Sequence, residues 1–553
     1  MAIGYISSGK DDSSRVLAHK YGRRLVPSIA DLIFISLLGL LCYTILSVRL
    51  LGDAGIGWHI RTGQLILASH AIPHVDPFSS TMAGHPWFAW EWLYDVLAGW
   101  LDTVAGLNGV VFFTALIIAL TFSWAFRLLL RRGTNFLVAL LLVLLAMSAA
   151  MIHFLARPHV VSWLFTVLWF WVLESSEKRD CLPSAHDRRH LLWLLPPFML
   201  LWVNLHGGFL LGLILLGIYW LSAVWQWFTL KADRFDDALQ KIRASHRARD
   251  LALIGIMTAL ATLANPYGWR LHVHIYHYLS DRFLMDHIDE FQSPNFHGVA
   301  QKCFAVLLLL PLIALALRKR EPRGIQTSGA LVALFAVYSG LYASRNIPVS
   351  ALLLILIVGP WLRDAARQLV ELFPKRLFAF RSQDRSSTHF VPRMQAIELS
   401  LRTHLWSFVA IAVLGWIAFH SGKLGASPLI RAHFDAKRFP VSAVDYLESH
   451  HVPGPIFAPD YWGGYFIYRL YPQVRVAIDD RHDFYGEQFL KSYLKTVHVE
   501  PRWEDFFEQH EIHAIVVPKD SALANILLET PHWQPIYTDE VAVVFTQVPA
   551  PRP

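Results

Sequence analysis

Apolar runs of membrane-spanning length recur through residues 29–421, and they restrict what this chain can fold into more than any motif does. A helix needs about 20 mostly apolar residues to cross the hydrocarbon core. Backbone polar groups in lipid must pair within the segment, so helices are the expected spanning form. Runs near 29–50, 108–129, 136–155, 160–175, 190–204, 209–228, 250–266, 301–317, 327–343, 347–362 and 405–420 predict about eleven spans. Composition agrees: 54% of the 553 residues are hydrophobic and 16% charged, with a mean hydropathy of +0.38, outside the soluble globular range. The first run follows Lys20, Arg23 and Arg24 but is too long for a signal-peptide core and no small-residue cleavage site follows it, so it reads as an uncleaved anchor.

Lys and Arg concentrate in alternate loops, among them "KYGRR", "RLLLRRG", "EKRDCLPSAHDRR", "KADRFDDALQKIRASHRARD", "RKREPRG" and the 363–404 segment. The positive-inside rule makes these loops cytoplasmic. The N-terminal segment 1–28 is then inside the cell, and both the first outer loop, 51–107, and everything from 422 onward lie on the extracytoplasmic (periplasmic) side of a multi-pass inner-membrane protein. The net charge of +7 is a topology signal of those loops, and it does not describe a nucleic-acid surface. Cys42, Cys181 and Cys303 lie in or beside spans or on the cytoplasmic side, and no cysteine follows, so the C-terminal region has no disulfide framework.

The expected fold class is an α-helical polytopic membrane body, 29–421, followed by a soluble α/β domain, 422–553. The latter, roughly 130 residues, is long enough to bury a core of its own. There the pattern alternates: "FPVSAVDYLESH" predicts a helix, "PIFAPDY" a strand, "GGYFIYRLY" a helix, "RVAID" a strand, "YGEQFLKSYLKTV" a helix, and "HAIVVP" and "VAVVFTQ" strands. Strands alternating with helices favour a largely parallel sheet. The segment 376–395 is the expected mobile cytoplasmic loop.

The short outer loops read "ARPHV", "NLHGG", "NPYGWR" and "SRNIP". Arg157, Arg270 and Arg345 run against the topology rule there. A shared anionic ligand would account for them, since a guanidinium donates two parallel bonds to phosphate and keeps its charge when partly desolvated. Snorkelling to the interface or pairing with a carboxylate is the bland alternative. Arg61, His59, His159 and His206 can add donors at the same depth. Three carboxylates of the first outer loop are candidate catalysts: Asp53, where partial desolvation would raise the pKa; Asp76, in an Asp-Pro pair that also suits a turn; and Glu91, near a helix N-terminus, where complementing the dipole is the bland alternative. Trp58, Trp87, Trp90 and Trp92 fit an interfacial belt or a groove for a lipid tail or sugar. His272, His274 and His277, and the 286–290 "DHIDE" stretch, match no specific metal spacing, so no metal site is assigned and a divalent cation is left open. Asp479, Asp480, Arg481 and Asp483, after a predicted strand, form a second and weaker candidate site, or an ordinary solvated turn. The glycines of "WGGYFIYRL" fall short of a phosphate-binding fingerprint.

The layout resembles the GT-C superfamily of membrane glycosyltransferases: a first span, a large outer loop with an acid just after it, a many-helix body and an outer C-terminal domain. "GDAGIGWHIRTGQLIL" with "IPHVDPFS" is similar to the opening loop of oligosaccharyltransferase catalytic subunits and protein mannosyltransferases. "WHIRTG", "WFAWEWL", "NLHGGF", "SRNIP" and "YWGGYFIYRLYPQVRVAIDDRHDFYG" resemble bacterial multi-pass proteins described as glycosyltransferase-like. The resemblance implies a polyprenyl-phosphate-linked sugar as donor, membrane lipid as partner and inverting transfer to an acceptor that the sequence does not name. By position, Asp53 would be the general base, and Arg61, Arg157, Arg270 or Arg345 would stabilise the departing phosphate. Ala54 follows Asp53 where several of these enzymes have an Asp-Glu pair, which leaves Asp53, Asp76 and Glu91 as rivals. A transporter or flippase of a lipid-linked or anionic solute, or a non-catalytic scaffold with a binding domain, are the competing classes.

Overall fold

The computed structural model describes residues 25–177, 188–231, 233, 235–317, 326–372, 387–401 and 403–548. The N-terminal segment up to residue 24, Cys181 and much of the 376–395 loop lie outside the described residues. Among the described residues five helices are long and apolar enough to cross a membrane: Trp92–Arg131, Phe136–His153, Phe209–Thr229, Val299–Ala316 and Ser344–Ala365. A bent pair, Met394–Ser400 with Leu405–Phe419, would make a sixth. The other expected runs form helices that are shorter or more polar. Ile29–Tyr43 and Thr327–Tyr342 are apolar but short, Leu195–Leu205 has 11 residues, and His159–Glu177 contains Glu174 and Glu177.

Local chemistry sets where elements begin. Ser28 opens Ile29–Tyr43 with a reciprocal cap: its hydroxyl accepts from the Asp31 N–H at 3.1 Å, and the Asp31 carboxylate accepts from the Ser28 N–H at 2.9 Å, satisfying donors that a helix start leaves orphaned. The amphipathic stretch after Glu91 and the span expected at 108–129 are one element, Trp92–Arg131, interrupted only at Gly106 (φ 61°, ψ −161°). That backbone region is essentially reserved for glycine. At the far end of the bundle, Arg132 pairs with Glu174 at 2.5 Å and Arg247 with Glu177 at 3.4 Å, while Ser328 donates to Glu177 at 2.7 Å.

Two packing events position the opening loop. The loop's helix, Ile56–Ser69, lies against Trp92–Arg131 because Gly63 and Gly99 leave no room for a side chain: a Cβ at Gly63 would strike the Asp95 carbonyl, and one at Gly99 would come within 2.6 Å of the Gln64 nitrogen. The C-terminal region docks on the other side through Asp460–Leu470. A Cβ on Gly464 would meet the Ala54 carbonyl, and one on Gly57 the Gly464 carbonyl. The paired glycines of "WGGYFIYRL" therefore serve backbone approach between elements. Residues 79–81 add to the same seam, with Ser80 N–H donating to the Val476 carbonyl at 2.8 Å and Thr81 to that of Ala477 at 2.6 Å.

The sheet of the C-terminal region runs in the order Ile456–Phe457, Ala514–Pro518, Ala542–Gln547, Trp533–Thr538. Only the first pair is parallel, so the expected largely parallel sheet is corrected to a mixed one. Trp533–Thr538, which the sequence pattern did not reveal, is an edge strand with a register shift after Pro535. Proline cannot donate to a ladder and is confined to such edges. The predicted "RVAID" strand is reduced to isolated bridges from Val476 to Ser79 and Ile456.

Candidate functional site

Loop 52–55, the turn before His159–Glu177, the 206–208 turn, the 3-10 turn Ser344–Asn346 and the segment after Val476 converge on one cavity of about 460 Å³. Its lining is mixed in character. Asp53, Glu91, Arg157, His159, His206, Arg345 and Asp480 bring charge and hydrogen-bonding groups to it. Leu210, Leu211, Ile214 and Val349, on helices long enough to cross a membrane, and Phe335 and Tyr342, on the shorter apolar Thr327–Tyr342, bring apolar surface.

Arg157 is the hub of the polar groups. Its Nη1 donates to Asp53 Oδ1 at 2.8 Å and to Asp480 Oδ2 at 2.7 Å, and Trp58 Nε1 donates to the other Asp480 oxygen at 3.0 Å. Burial pushes Asp53 up, but Arg157, the Gly55 N–H at 2.8 Å and His159 outweigh it and hold the carboxyl below its usual range. The expectation of a raised Asp53 is thereby reversed: a guanidinium in direct contact stabilises the anion more than partial desolvation penalises it. Asp53 is 34% exposed, and what it meets there is the cavity. Asp480 goes the other way, up to about 6, through burial and the neighbouring Asp53 and Asp479 charges, which Arg157 only partly offsets.

Gly55 makes this clamp possible. A Cβ there would strike Arg157 Nη1 and Asp480 Oδ2. Gly55→Ala is expected to push the two side chains apart at a cost of about 1–3 kcal/mol, the range for overpacking a filled site, read as a lowered midpoint of thermal unfolding. An unchanged midpoint would show that the clamp does not hold the two regions together.

Glu91 lies between two imidazoles, with Oε2 3.8 Å from His59 Nε2 and Oε1 3.7 Å from His206 Nε2. It occupies the N-cap position of Trp92–Arg131 without any side-chain capping bond. Burial raises its carboxyl, and the Asp483 charge adds to the rise; Arg157, Arg345 and the Gly207 N–H oppose it, and the net position is about 7. His206 is fixed by its partners: the Gly208 N–H donates to Nδ1 at 3.0 Å, and Ser162, which accepts from Trp202 at 2.8 Å, lies 2.7 Å from the same nitrogen. Two donors on Nδ1 leave the ring proton on Nε2, toward Glu91. Burial keeps His206 and His59 well below the ordinary histidine pKa, so both rings are neutral near pH 7.

Arg345 stacks over Phe291 at 4.6 Å. Its contacts to Glu290 and Tyr278, 3.5 and 3.4 Å, are long and leave much of its donor fork unsaturated. Four residues from the sequence prediction do not line the cavity. Arg61 donates from Nε to the Tyr468 carbonyl at 2.9 Å, fastening the opening helix to the C-terminal region. Asp76 builds the turn its Asp-Pro pair suggested, accepting from the Phe78 and Ser79 N–H groups at 3.2 and 2.8 Å, and pairs with Arg481. His59 is buried behind Glu91. Arg270 is exposed at the start of Arg270–Ser280, a helix that faces the cavity with Ile275, Tyr278 and Leu279.

The weaker candidate at 479–483 is a wall of the same cavity, since Asp480, Arg481 and Asp483 line it. The metal candidates separate: His272 meets Thr262 at 2.8 Å, His274 meets Asp483 at 3.1 Å, and among the described residues no group of three His, Cys, Asp or Glu side chains could hold a metal ion.

No protein-family model and no curated protein matches the chain. Among solved structures it is similar to ArnT from Cupriavidus metallidurans bound to undecaprenyl phosphate. That likeness has 14% identity, covers 99% of this chain and 100% of that one, and has a TM-score of 0.48. It is also similar to the archaeal oligosaccharyltransferase AglB from Archaeoglobus fulgidus in complex with an inhibitory peptide and a dolichol-phosphate, with 12% identity, 91% and 70% coverage and a TM-score of 0.42. Neither likeness assigns a role to a residue here.

Sequence reasoning missed Asp95, whose Oδ1 is 2.5 Å from His59 Nδ1. The available signal was its spacing from Glu91: residues four apart share a helix face, and two acids so placed repel unless something holds them.

Proposed function

We propose that this chain is an inverting glycosyltransferase that draws on a polyprenyl-phosphate-linked sugar at the outer face of the cytoplasmic membrane. The observation that carries the reading is a cavity whose lining joins guanidinium and carboxyl groups from the loops with aliphatic and aromatic side chains from apolar helices. An amphiphile with an anionic headgroup fits both kinds of surface, and the loop motifs resembling GT-C enzymes agree with it. The lipid chain would lie along Leu210, Ile214, Phe335 and Val349, with the phosphate at Arg345 and Arg157. An acceptor hydroxyl then attacks the anomeric carbon opposite the phosphate. The new carbon–oxygen bond forms as the bond to phosphate breaks, the electron pair leaves on the phosphate, and the acceptor's proton goes to a carboxylate of the site. Arginines aimed where charge develops stabilise the departing group. The ion pairs that fasten the far end of the helices, Arg132 with Glu174 and Arg247 with Glu177, favour a one-sided site over a route through the bundle.

The test is transfer of labelled sugar from polyprenyl-phosphate-sugar by the purified protein in liposomes, with native mass spectrometry for retained lipid phosphate. Asp53→Asn removes the charge that holds Arg157 and is expected to cost about 1.5–3 kcal/mol, roughly a 10- to 100-fold loss in kcat/KM. Full activity would remove Asp53 from the mechanism. Uptake of the donor into sealed vesicles without covalent change would replace the transferase reading with a transporter.

A further inference from the structure

Three carboxylates compete for the acceptor's proton on sequence grounds, and the geometry separates them. Asp76 is enclosed by its turn and Arg481. Asp53 has one oxygen occupied by the Gly55 N–H and by Arg157, and a carboxylate already bonded to a guanidinium is a weak base. Glu91 lines the cavity; among the described residues Arg157 and Arg345 act on it through charge and the Gly207 N–H through a hydrogen bond, and behind it stand the His59 ring and a second acid.

We propose that Glu91 takes the proton from the acceptor and that the buried His59–Asp95 pair is its relay, an assignment that rests on the transferase reading above. His59 Nδ1 and Asp95 Oδ1 are 2.5 Å apart, while His59 Nε2 and Asp95 Oδ2 are buried without hydrogen-bond partners. With the ring proton on Nδ1, toward Asp95, Nε2 presents a lone pair to one oxygen of Glu91. His206 presents an N–H to the other. That surrounding, an acceptor on one oxygen and a donor on the other, is complementary to a protonated carboxyl, the species formed when Glu91 takes a proton. The gaps of 3.8 and 3.7 Å must close by somewhat less than an ångström or be bridged by water to bond. The proton then has an onward path: Glu91 gives it to His59 Nε2 as Nδ1–H passes to Asp95, and Glu91 is again a carboxylate. Asp95 is fully buried, so the proton returns by the same His59–Glu91 route to the departed lipid phosphate or to water, and no other reactant is consumed.

The groups facing Glu91 are His59 and Asp95 from the two packed helices, His206 and the Gly207 N–H from the adjoining turn, Arg157 and Arg345 across the cavity, and Asp483 from the C-terminal region. Burial, aided by Asp483 and opposed by Arg157, Arg345 and the Gly207 N–H, leaves Glu91 near 7, close to where a general base works best at neutral pH. A base must be deprotonated, so kcat/KM is expected to rise with pH through about 7 and then level.

The experiment measures sugar transfer against pH together with retained polyprenyl phosphate. Glu91→Gln should keep the lipid and lose at least about 100-fold in kcat, the lower range for general-base catalysis, and its residual rate should no longer rise with pH. Asp95→Asn presents an N–H to His59 Nδ1, moving the ring proton to Nε2. Glu91 then loses its acceptor, and the rising limb is expected to shift to lower pH with kcat reduced and the donor KM unchanged. A merely structural role for Asp95 would lower the rate equally at every pH. Glu91→Gln as fast as wild type, or a rising limb that survives in it, overturns the assignment while the transferase reading stands. A wild-type protein that neither transfers sugar nor holds the lipid overturns that reading first.

Discussion

Arg157→Ala is expected to weaken donor binding and transfer together. The guanidinium is the shared partner of Asp53 and Asp480, and truncating one member of a hydrogen-bonded charge cluster costs about 2–5 kcal/mol. That predicts at least about a 30-fold loss in kcat/KM. Part of the loss is the repulsion of the two acids left facing each other, which makes a sign test available. In the wild-type background Asp480→Asn removes a partner of Arg157 and should destabilise; in the Arg157→Ala background it removes a repulsion and should stabilise. A double-mutant cycle by thermal unfolding measures both arms. If Asp480→Asn destabilises equally in both backgrounds, Arg157 does not join the opening loop to the C-terminal region. Arg157→Lys keeps the charge without the planar fork, and is expected to recover stability more than phosphate affinity.

Arg481→Met should have the largest effect on folding. Its guanidinium bonds Asp479 through Nε at 2.8 Å and Nη2 at 2.7 Å, and Nη2 also reaches Asp76 at 2.8 Å. Both carboxylates are fully buried, and the cation lies 4.6 Å from the Trp87 ring centre. Methionine fills the space but leaves two buried acids with no counter-ion, an arrangement that costs about 3–5 kcal/mol when one partner of a buried pair is removed. The expected readout is a lower unfolding midpoint and faster proteolysis of the 422–548 region, where the opening loop is otherwise pinned. A variant as stable as wild type would show that Asp76 and Asp479 are satisfied without Arg481. This pair also explains why Asp76 cannot be read alone: the Asp-Pro turn is local, but its charge is balanced by a residue about 400 positions away in the chain.

How much of the site was legible depends on the range of the interaction that makes it. Arg157 and Arg345 stood out because arginine in loops expected to be extracytoplasmic runs against the positive-inside rule, a property visible one loop at a time. Arg270 met the same criterion, yet its side chain is exposed away from the cavity, since helix rotation is set by packing. Glu91 was visible as an acid, whereas its two imidazoles come from Ile56–Ser69 and from the 206–208 turn, and the burial that raises its carboxyl exists only once such distant elements close over it. Asp480 looked like part of a solvated turn, because nothing near it in sequence reveals that Arg157 waits opposite.

Hydrophobic length, loop charge and turn chemistry are properties of neighbours in the chain, and from them the sequence determined a helical membrane body, a carboxylate-bearing opening loop and an α/β tail. Folding alone decided which ions share a partner. Asp53 and Arg157 are 104 positions apart, and Arg157 and Asp480 are 323 apart; burial and counter-charge act over a few ångströms, so the proton affinities of these groups exist only once glycine-permitted contacts have pressed the tail, the loop and the helix ends into one cavity.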